Sequence, residues 1–416
     1  MGGQPNTRGI LAALIAAHLC IDLTQGAVPA LGSYMENFHN WSYTQVGSLA
    51  LITSVTSVAL QPLAGAYGDR ARNGIMIPLG LLLTGSGLLL AALSSPASTL
   101  AITLGVALTG AGVAVFHPDG MRAAHFTTGD RRATGMSLFL VGGNLGIALG
   151  PVTAALGMSA FGLPGLLLAA VPSFAAFVLL ARLLPALRSL WSRPRERPEE
   201  AKTEAGPVPV NWSGQIRVLA VVTLRAMFQM TVITYLPLYV TGVLGGSLTG
   251  GNFLTSLYLL GGAVGTLIGG PLADRIGLRR YLTGSLALIG PTHFLTLAAP
   301  AALKPFLLMV QGGMLVSTMA ISIVLSQEYA PSNLALVSGL NAGANIGLGG
   351  LGAALAGMAA DTWGLLPVLT VAAALPILAA LVSRTLPPTE PAAPAGAGSP
   401  AGGAGMVQYE EPDGGR

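Results

Sequence analysis

The chain is poor in charge. Of 416 residues, 20 are Lys or Arg and 16 are Asp or Glu, 9% in all, against about 25% in an average soluble domain. Too few charges are present to cover a water-facing surface. Cysteine is nearly missing as well: Cys20 stands alone inside an apolar run, which excludes a disulfide framework and a CxxC metal or redox site. There is no Walker loop, so ATP hydrolysis is not expected. No nucleophile triad is visible, so an enzyme is not expected, and the five histidines are not spaced as metal ligands. No cofactor is implied. The net charge of +4 sits in short connectors rather than in one basic domain, so nucleic acid is not an expected partner.

What remains is apolar: 52% of residues are hydrophobic. Many runs reach about 20 residues, the length needed to cross a hydrocarbon core of roughly 30 Å. In lipid the backbone must satisfy its own polar groups, and continuous Leu, Ala, Val and Gly runs then read as helices rather than as alternating barrel strands. The expected fold is all-α and membrane-spanning, with twelve helices. The first six are Ile10–Ser33, Gln45–Tyr67, Ile75–Leu93, Ser98–His125, Thr134–Leu156 and Gly165–Leu184. The second six are Ile216–Val243, Asn252–Leu272, Tyr281–Ala299, Pro305–Gln327, Ala335–Ala359 and Leu365–Leu386. The first run carries His18, Asp22 and Gln25 and is too long and too polar for a cleaved signal core. The expected division is a bundle over 1–187, a linker over 188–215, a second bundle over 216–386 and a disordered Pro/Ala/Gly-rich tail over 387–416.

Basic residues fall on alternate connectors. Arg70 and Arg72, Arg131 and Arg132, the linker, and Arg275, Arg279 and Arg280 lie on one side, and Lys304 is the exception opposite. This asymmetry predicts both termini and the linker in the cytoplasm of a cell (inner or plasma) membrane. An internal repeat marks two halves. Gly65-Ala-Tyr-Gly-Asp69-Arg70 ends the second span, and Gly270-Pro-Leu-Ala-Asp274-Arg275 ends the eighth. Gly143-Asn144-Leu-Gly146 in the fifth span is echoed by Ala344-Asn345-Ile-Gly347 in the eleventh.

These motifs carry a resemblance. Gly270-x-x-x-Asp274-Arg275-x-Gly277-x-Arg279-Arg280 resembles the loop motif of the major facilitator superfamily; the first copy departs from it at Arg72 and Asn73. Gly142, Gly146, Gly150 and Pro151 resemble the superfamily's antiporter motif. A narrower resemblance covers most of the chain. Its parts are His18-Leu-Cys-Ile-Asp22 with Gln25-Gly26 and Pro29, Phe116-His117-Pro118-Asp119-Gly120, Phe139-x-Val-Gly-Gly-Asn144, and Ser326-Gln-Glu328 with Val337-Ser-Gly-Leu. Together these resemble the fosmidomycin resistance protein branch, although Asp119 stands where that branch is expected to have Glu. The resemblance implies two pseudosymmetric six-helix bundles around a central cavity and proton-driven export, with the proton gradient as the energy source.

An ionisable side chain at membrane depth is a functional candidate by default. His18, Asp22 and Gln25 share one helix face. Asp22 is the first choice for a proton carrier, with a structural hydrogen bond to His18 as the plain alternative. His117, Asp119 and Arg122 form either a proton relay or an ion pair at a helix end. Arg225, with Gln229 one turn on, is expected to contact an anionic substrate or to partner Asp22. Tyr235 either lines the outer cavity or anchors at the interface, and Asn144, Asn341 and Asn345 either face substrate or bridge helices. Asp69, Arg70, Asp274, Arg275, Arg279, Arg280 and Glu328 are expected to latch the cytoplasmic face.

The function expected is secondary transport, as proton-coupled efflux of a small drug-like or anionic molecule by a monomer in the lipid bilayer. A symporter or uniporter importing a metabolite shares the fold and stays open at this level, and a membrane receptor or scaffold is the reading from another class.

Overall fold

The computed structural model describes residues 7–71, 73–127, 132–191 and 210–388. Arg72, Arg131, most of the expected linker and nearly all of the expected tail therefore lie outside the described residues. The first span is two helices, α1 (Thr7–Gly26) and α2 (Val28–His39), with Pro29 in the opening turn of α2. Proline cannot supply the N–H that a continuous helix would need there, so the chain breaks beside Ala27. The first half continues through α3 (Tyr43–Ala71), α4 (Met76–Leu93), α5 (Thr99–Thr127), α6 (Arg132–Phe161) and α7 (Leu167–Arg182). A short α8 (Leu184–Trp191) leads out of it.

The second half opens with α9 (Trp212–Leu238), α10 (Leu248–Ile276), α11 (Leu278–Ala298) and α12 (Lys304–Tyr329). Its eleventh span is α13 (Leu334–Gly343), a π-helical turn over Ala344–Leu348, and α14 (Gly349–Trp363). The twelfth is α15 (Leu365–Ala372) with α16 (Ala374–Arg384). Among the described residues, eleven helical segments are long and apolar enough to cross a membrane. The remaining span, α11, has the length: 21 residues rise about 31 Å. Arg279, Arg280, four polar Ser or Thr positions and His293 lower its hydropathy, and it is packed between α12 and α16.

The same pairings recur in each half. In the first, α1 packs on α6 and α7, α5 on α3 and α4, and α4 on α7. In the second, α9 packs on α14 and α16, α12 on α10 and α11, and α11 on α16. The halves meet through two more equivalent pairs, α3 with α14 and α6 with α10. Duplicated connectivity around one axis is the major facilitator fold.

Glycines set the close contacts. A Cβ on Gly142 of α6 would lie 2.7 Å from Ile15 O, and one on Gly150 would lie 2.5 Å from the Gly26 carbonyl carbon. Gly146 faces Leu19 between them. The antiporter-like glycines are thus the seam on which α6 lies against α1. Gly277, at φ 95°, joins α10 to α11 in a conformation that side chains avoid, which accounts for the glycine in the second loop motif.

Candidate functional site

A cavity of about 270 Å³ lies between the halves. Its walls come from α1, α2, α3 and α6 on one side and from α9, α10, α12 and the π-turn on the other. Most of the lining is apolar, and none of it is ionisable. Four amides reach it: Gln25 and Asn144 from the first half, Gln229 and Asn345 from the second. Gln25 and Gln229 occupy corresponding spans, as do Asn144 and Asn345, so the polar lining repeats the fold's duplication. Asn345 sits in the π-turn. The extra residue of such a turn re-aims side chains, and these turns recur at functional sites.

Arg225 lies just behind this wall. It is fully buried, 0% exposed, and does not line the main cavity. Its Nη1 donates to Gln229 Oε1 at 3.0 Å, and its Nη2 donates to Asn345 Oδ1. Among the described residues no carboxylate pairs with it. The expected partnership with Asp22 is not formed; the structure pairs Asp22 with histidines instead. A guanidinium only donates, so it fixes both amides with oxygen toward Arg225 and NH₂ turned away. Asn345 Nδ2 accordingly points to Met319 Sδ, 4.0 Å away in the cavity lining.

One turn of α1 from Gln25, Asp22 meets two histidines. His18 Nε2 is 3.3 Å from Asp22 Oδ2, and His117 Nε2 of α5 is 3.6 Å from Asp22 Oδ1. Each ring is held from its other side: His18 Nδ1 is 2.8 Å from Phe139 O, and His117 Nδ1 is 2.8 Å from Val113 O. His18 also stacks on Phe139 with centroids 4.1 Å apart. The sequence reading that the histidines do not gather as ligands is corrected here. His18, Asp22 and His117 each bring a donor atom within 4.8 Å of the others. The correction has a simple cause: tertiary packing sets α5 against α1, and spacing along the chain cannot report it.

Asp119 and Arg122 pair at 3.2 Å. Asp119 is 2% exposed, and its carboxylate occupies the space a side chain on Gly68 would need, while Pro118 packs next to Gly65. This part of α5 is therefore seated on the glycines of the first loop motif. Asp69 is in the last turns of α3, and its side chain lies outside the described residues. Arg70, Asp274, Arg275, Arg280 and Glu328 are exposed and Arg279 is half-buried; among the described residues none of them forms an ion pair.

Two other candidates are placed away from the cavity. Tyr235 is buried, and its hydroxyl donates to Tyr43 O and Ala353 O, each at 2.9 Å. Asn341 donates to Ser326 Oγ at 2.5 Å and to Val337 O at 3.0 Å. Both bridge helices. Sequence reasoning missed Asp361 of α14, whose two oxygens accept the Tyr43 and Thr44 amides at 2.7 and 2.9 Å. Its signal was an acid at the end of an apolar run, with no basic neighbour in sequence. The other hydrogen bonds between halves are Asn252 to Ser33 at 3.1 Å, Val152 N to Ser256 Oγ at 3.3 Å and Ser159 with Thr249 at 3.0 Å. Each of these bonds lies away from the basic end.

The sequence model of the Major Facilitator Superfamily matches residues 13–252 and again 218–411. The chain belongs to the Major Facilitator Superfamily. It is a multi-pass membrane transporter and not an enzyme. It is 32% identical over 378 residues to the fosmidomycin resistance protein of Escherichia coli (strain K12), covering 90% of this chain and 91% of that one. It is 30% identical over 376 residues to the MFS-type transporter YfnC of Bacillus subtilis (strain 168), covering 89% and 91%. Among solved structures, a point mutant of the nucleoside transporter NupG superposes with TM-score 0.72 at 14% identity, covering 90% of this chain and 98% of that one. An inward-facing, unoccupied bacterial homologue of the human lysosomal transporter Spinster gives TM-score 0.73 at 15% identity, covering 92% and 98%. These two share the fold.

Proposed function

We propose that this transporter exports a small anionic or drug-like molecule, such as a phosphonate of the fosmidomycin kind, in exchange for protons. The observation that carries the reading is Arg225. A buried guanidinium without a carboxylate leaves net positive charge behind two cavity amides, and it turns their NH₂ groups outward as donors. An anionic group entering the cavity meets donors backed by a cation. The likeness to the fosmidomycin resistance protein supports the same substrate class.

The His18–Asp22–His117 cluster supports coupling to a cation. A carbonyl oxygen only accepts, so each Nδ1 carries a hydrogen and each neutral ring turns a lone pair on Nε2 toward the Asp22 carboxylate. Acceptors that face one another require a positive charge between them, and a proton supplies it. The cluster lies one helical turn from Gln25, close enough for its charge to act on the cavity. In this reading the protein works as a monomer in the inner or plasma membrane, with the basic end and both termini in the cytoplasm. The halves close at the outer end through Tyr43 and Asp361, and substrate enters from the cytoplasm.

The test is purified protein in vesicles with an imposed pH gradient and a pH-sensitive dye inside. Fosmidomycin or a related phosphonate is expected to move protons in wild type and not in Asp22→Asn. Proton movement that persists in a folded Asp22→Asn protein, or uptake of a metabolite with no response to any phosphonate, overturns the proposal.

A further inference from the structure

The histidine–aspartate cluster also has the donor set of a transition-metal site. Four-coordinate zinc with bonds of about 2.0–2.1 Å spaces its ligand atoms about 3.3 Å apart. His18 and His117 stand 3.3 and 3.6 Å from the Asp22 oxygens, so both separations fit with little movement. The third separation closes within the 4.8 Å that bounds the whole set.

Three further features distinguish a ligand site from a plain ion pair. The first is the second layer of contacts. Metal-binding histidines characteristically donate their other ring nitrogen to a carbonyl or carboxylate, which locks the tautomer and aims the lone pair. His18 does this with Phe139 O of α6, and His117 does it with Val113 O of its own helix. The second is Asp22 Oδ1, which is buried and has no hydrogen-bond partner. The third is Gly143. A Cβ there would lie 2.5 Å from His18 Nε2 and 2.6 Å from Asp22 Oδ2, so the missing side chain keeps room beside the ligand atoms.

We propose that His18, Asp22 and His117 bind one divalent transition cation of the zinc class. Two imidazoles and one carboxylate match the nitrogen and oxygen ligands of zinc and leave a fourth position for water. Calcium and magnesium prefer all-oxygen sets and are not expected. The bound cation ties α1 to α5 and takes the place that the transport reading gives to the proton. The inference uses the cluster named in that reading but stands on ligand geometry alone.

The experiment uses full-length protein without a histidine tag, purified in detergent. Zn²⁺ is titrated by calorimetry, and Co²⁺ is followed by visible absorption. Wild type is expected to bind one Zn²⁺ per chain, and to give with Co²⁺ the intense band of a four-coordinate site, which Zn²⁺ removes. Mg²⁺ is expected to give no signal. His117→Gln should weaken Zn²⁺ binding by about tenfold or more, while His125→Gln on the exposed side of α5 should leave it unchanged. Gly143→Ala alters no ligand and should also weaken binding, which keeps the proposal testable if His117→Gln does not fold. Absence of saturable Zn²⁺ binding in wild type, or undiminished binding in folded His117→Gln, overturns the site. No substrate enters this assay, so its failure leaves the transport reading standing, and loss of phosphonate-driven proton movement leaves the metal site standing.

Discussion

Asp361 caps Tyr43 across the two halves. One carboxylate oxygen takes the Tyr43 amide at 2.7 Å and the other takes the Thr44 amide at 2.9 Å. These N–H groups open α3 and have no partner within their own helix. A carboxylate there also meets the positive end of the helix dipole. The contact exists only while the halves are together at this end, so it stabilises one conformer of the transporter and not the other.

Removing that cap shifts the conformational balance. Asp361→Ala is expected to cost the closed end about 0.5–2 kcal/mol, a population change of roughly 2- to 30-fold. Spin labels or fluorophores on the α2–α3 and α14–α15 connectors should report more separation at this end in the variant. An unchanged distance distribution would mean that the cap does not control closure.

Tyr235→Phe tests the same closure from inside. The hydroxyl donates to one carbonyl in each half, and its loss leaves both carbonyls short of a donor at about 0.5–1.5 kcal/mol. The expected outcome is a smaller shift in the same direction, with substrate affinity unchanged because Tyr235 lies outside the cavity lining. A large loss of affinity would place Tyr235 in the binding site after all.

Arg225→Lys should weaken binding of an anionic phosphonate about tenfold or more while leaving the protein folded. Lysine keeps the charge but not the fork that holds Gln229 and Asn345 together. Asn345→Asp should be worse, since it places a carboxylate against the cation and pairs it internally. Ligand-induced change in melting temperature is the measurement, and equal stabilisation of Asn345→Asp and wild type would remove the anion from the account.

Gly146→Val should prevent assembly of the first half. The residue faces Leu19 O at a backbone approach with no space for a side chain, and overpacking costs typically about 1–3 kcal/mol or more. Gly339→Val has nothing within 4 Å of its Cβ position and should be tolerated far better. Yield of monodisperse protein after purification distinguishes the two.

Much of this was legible in the sequence because lipid imposes few choices. Long apolar runs, paired Asp-Arg loop motifs and basic connectors give span number and duplication, since each follows from local composition. Arg225 was visible as a charge too deep to be ordinary. The amide pairs Gln25 with Gln229 and Asn144 with Asn345 were visible as candidates, but their convergence required the two bundles to be placed. His117 was read together with Asp119, its neighbour in sequence. The fold instead turns His117 toward Asp22 and Asp119 toward Gly68, because nearby positions on a helix point in different directions. The π-turn at Ala344–Leu348 leaves no pattern beyond a run of small residues, and the partner of Asp361 is supplied by another helix altogether.

The two seams joining the bundles, α3 on α14 and α6 on α10, are copies of one interface produced by duplication. Rocking one bundle over the other must open both together, since neither can part while its twin holds. A substitution in either seam therefore acts on a single hinge shared by both, and compensating changes for a damaged α3 are to be sought on the far side of the molecule, along α6 and α10.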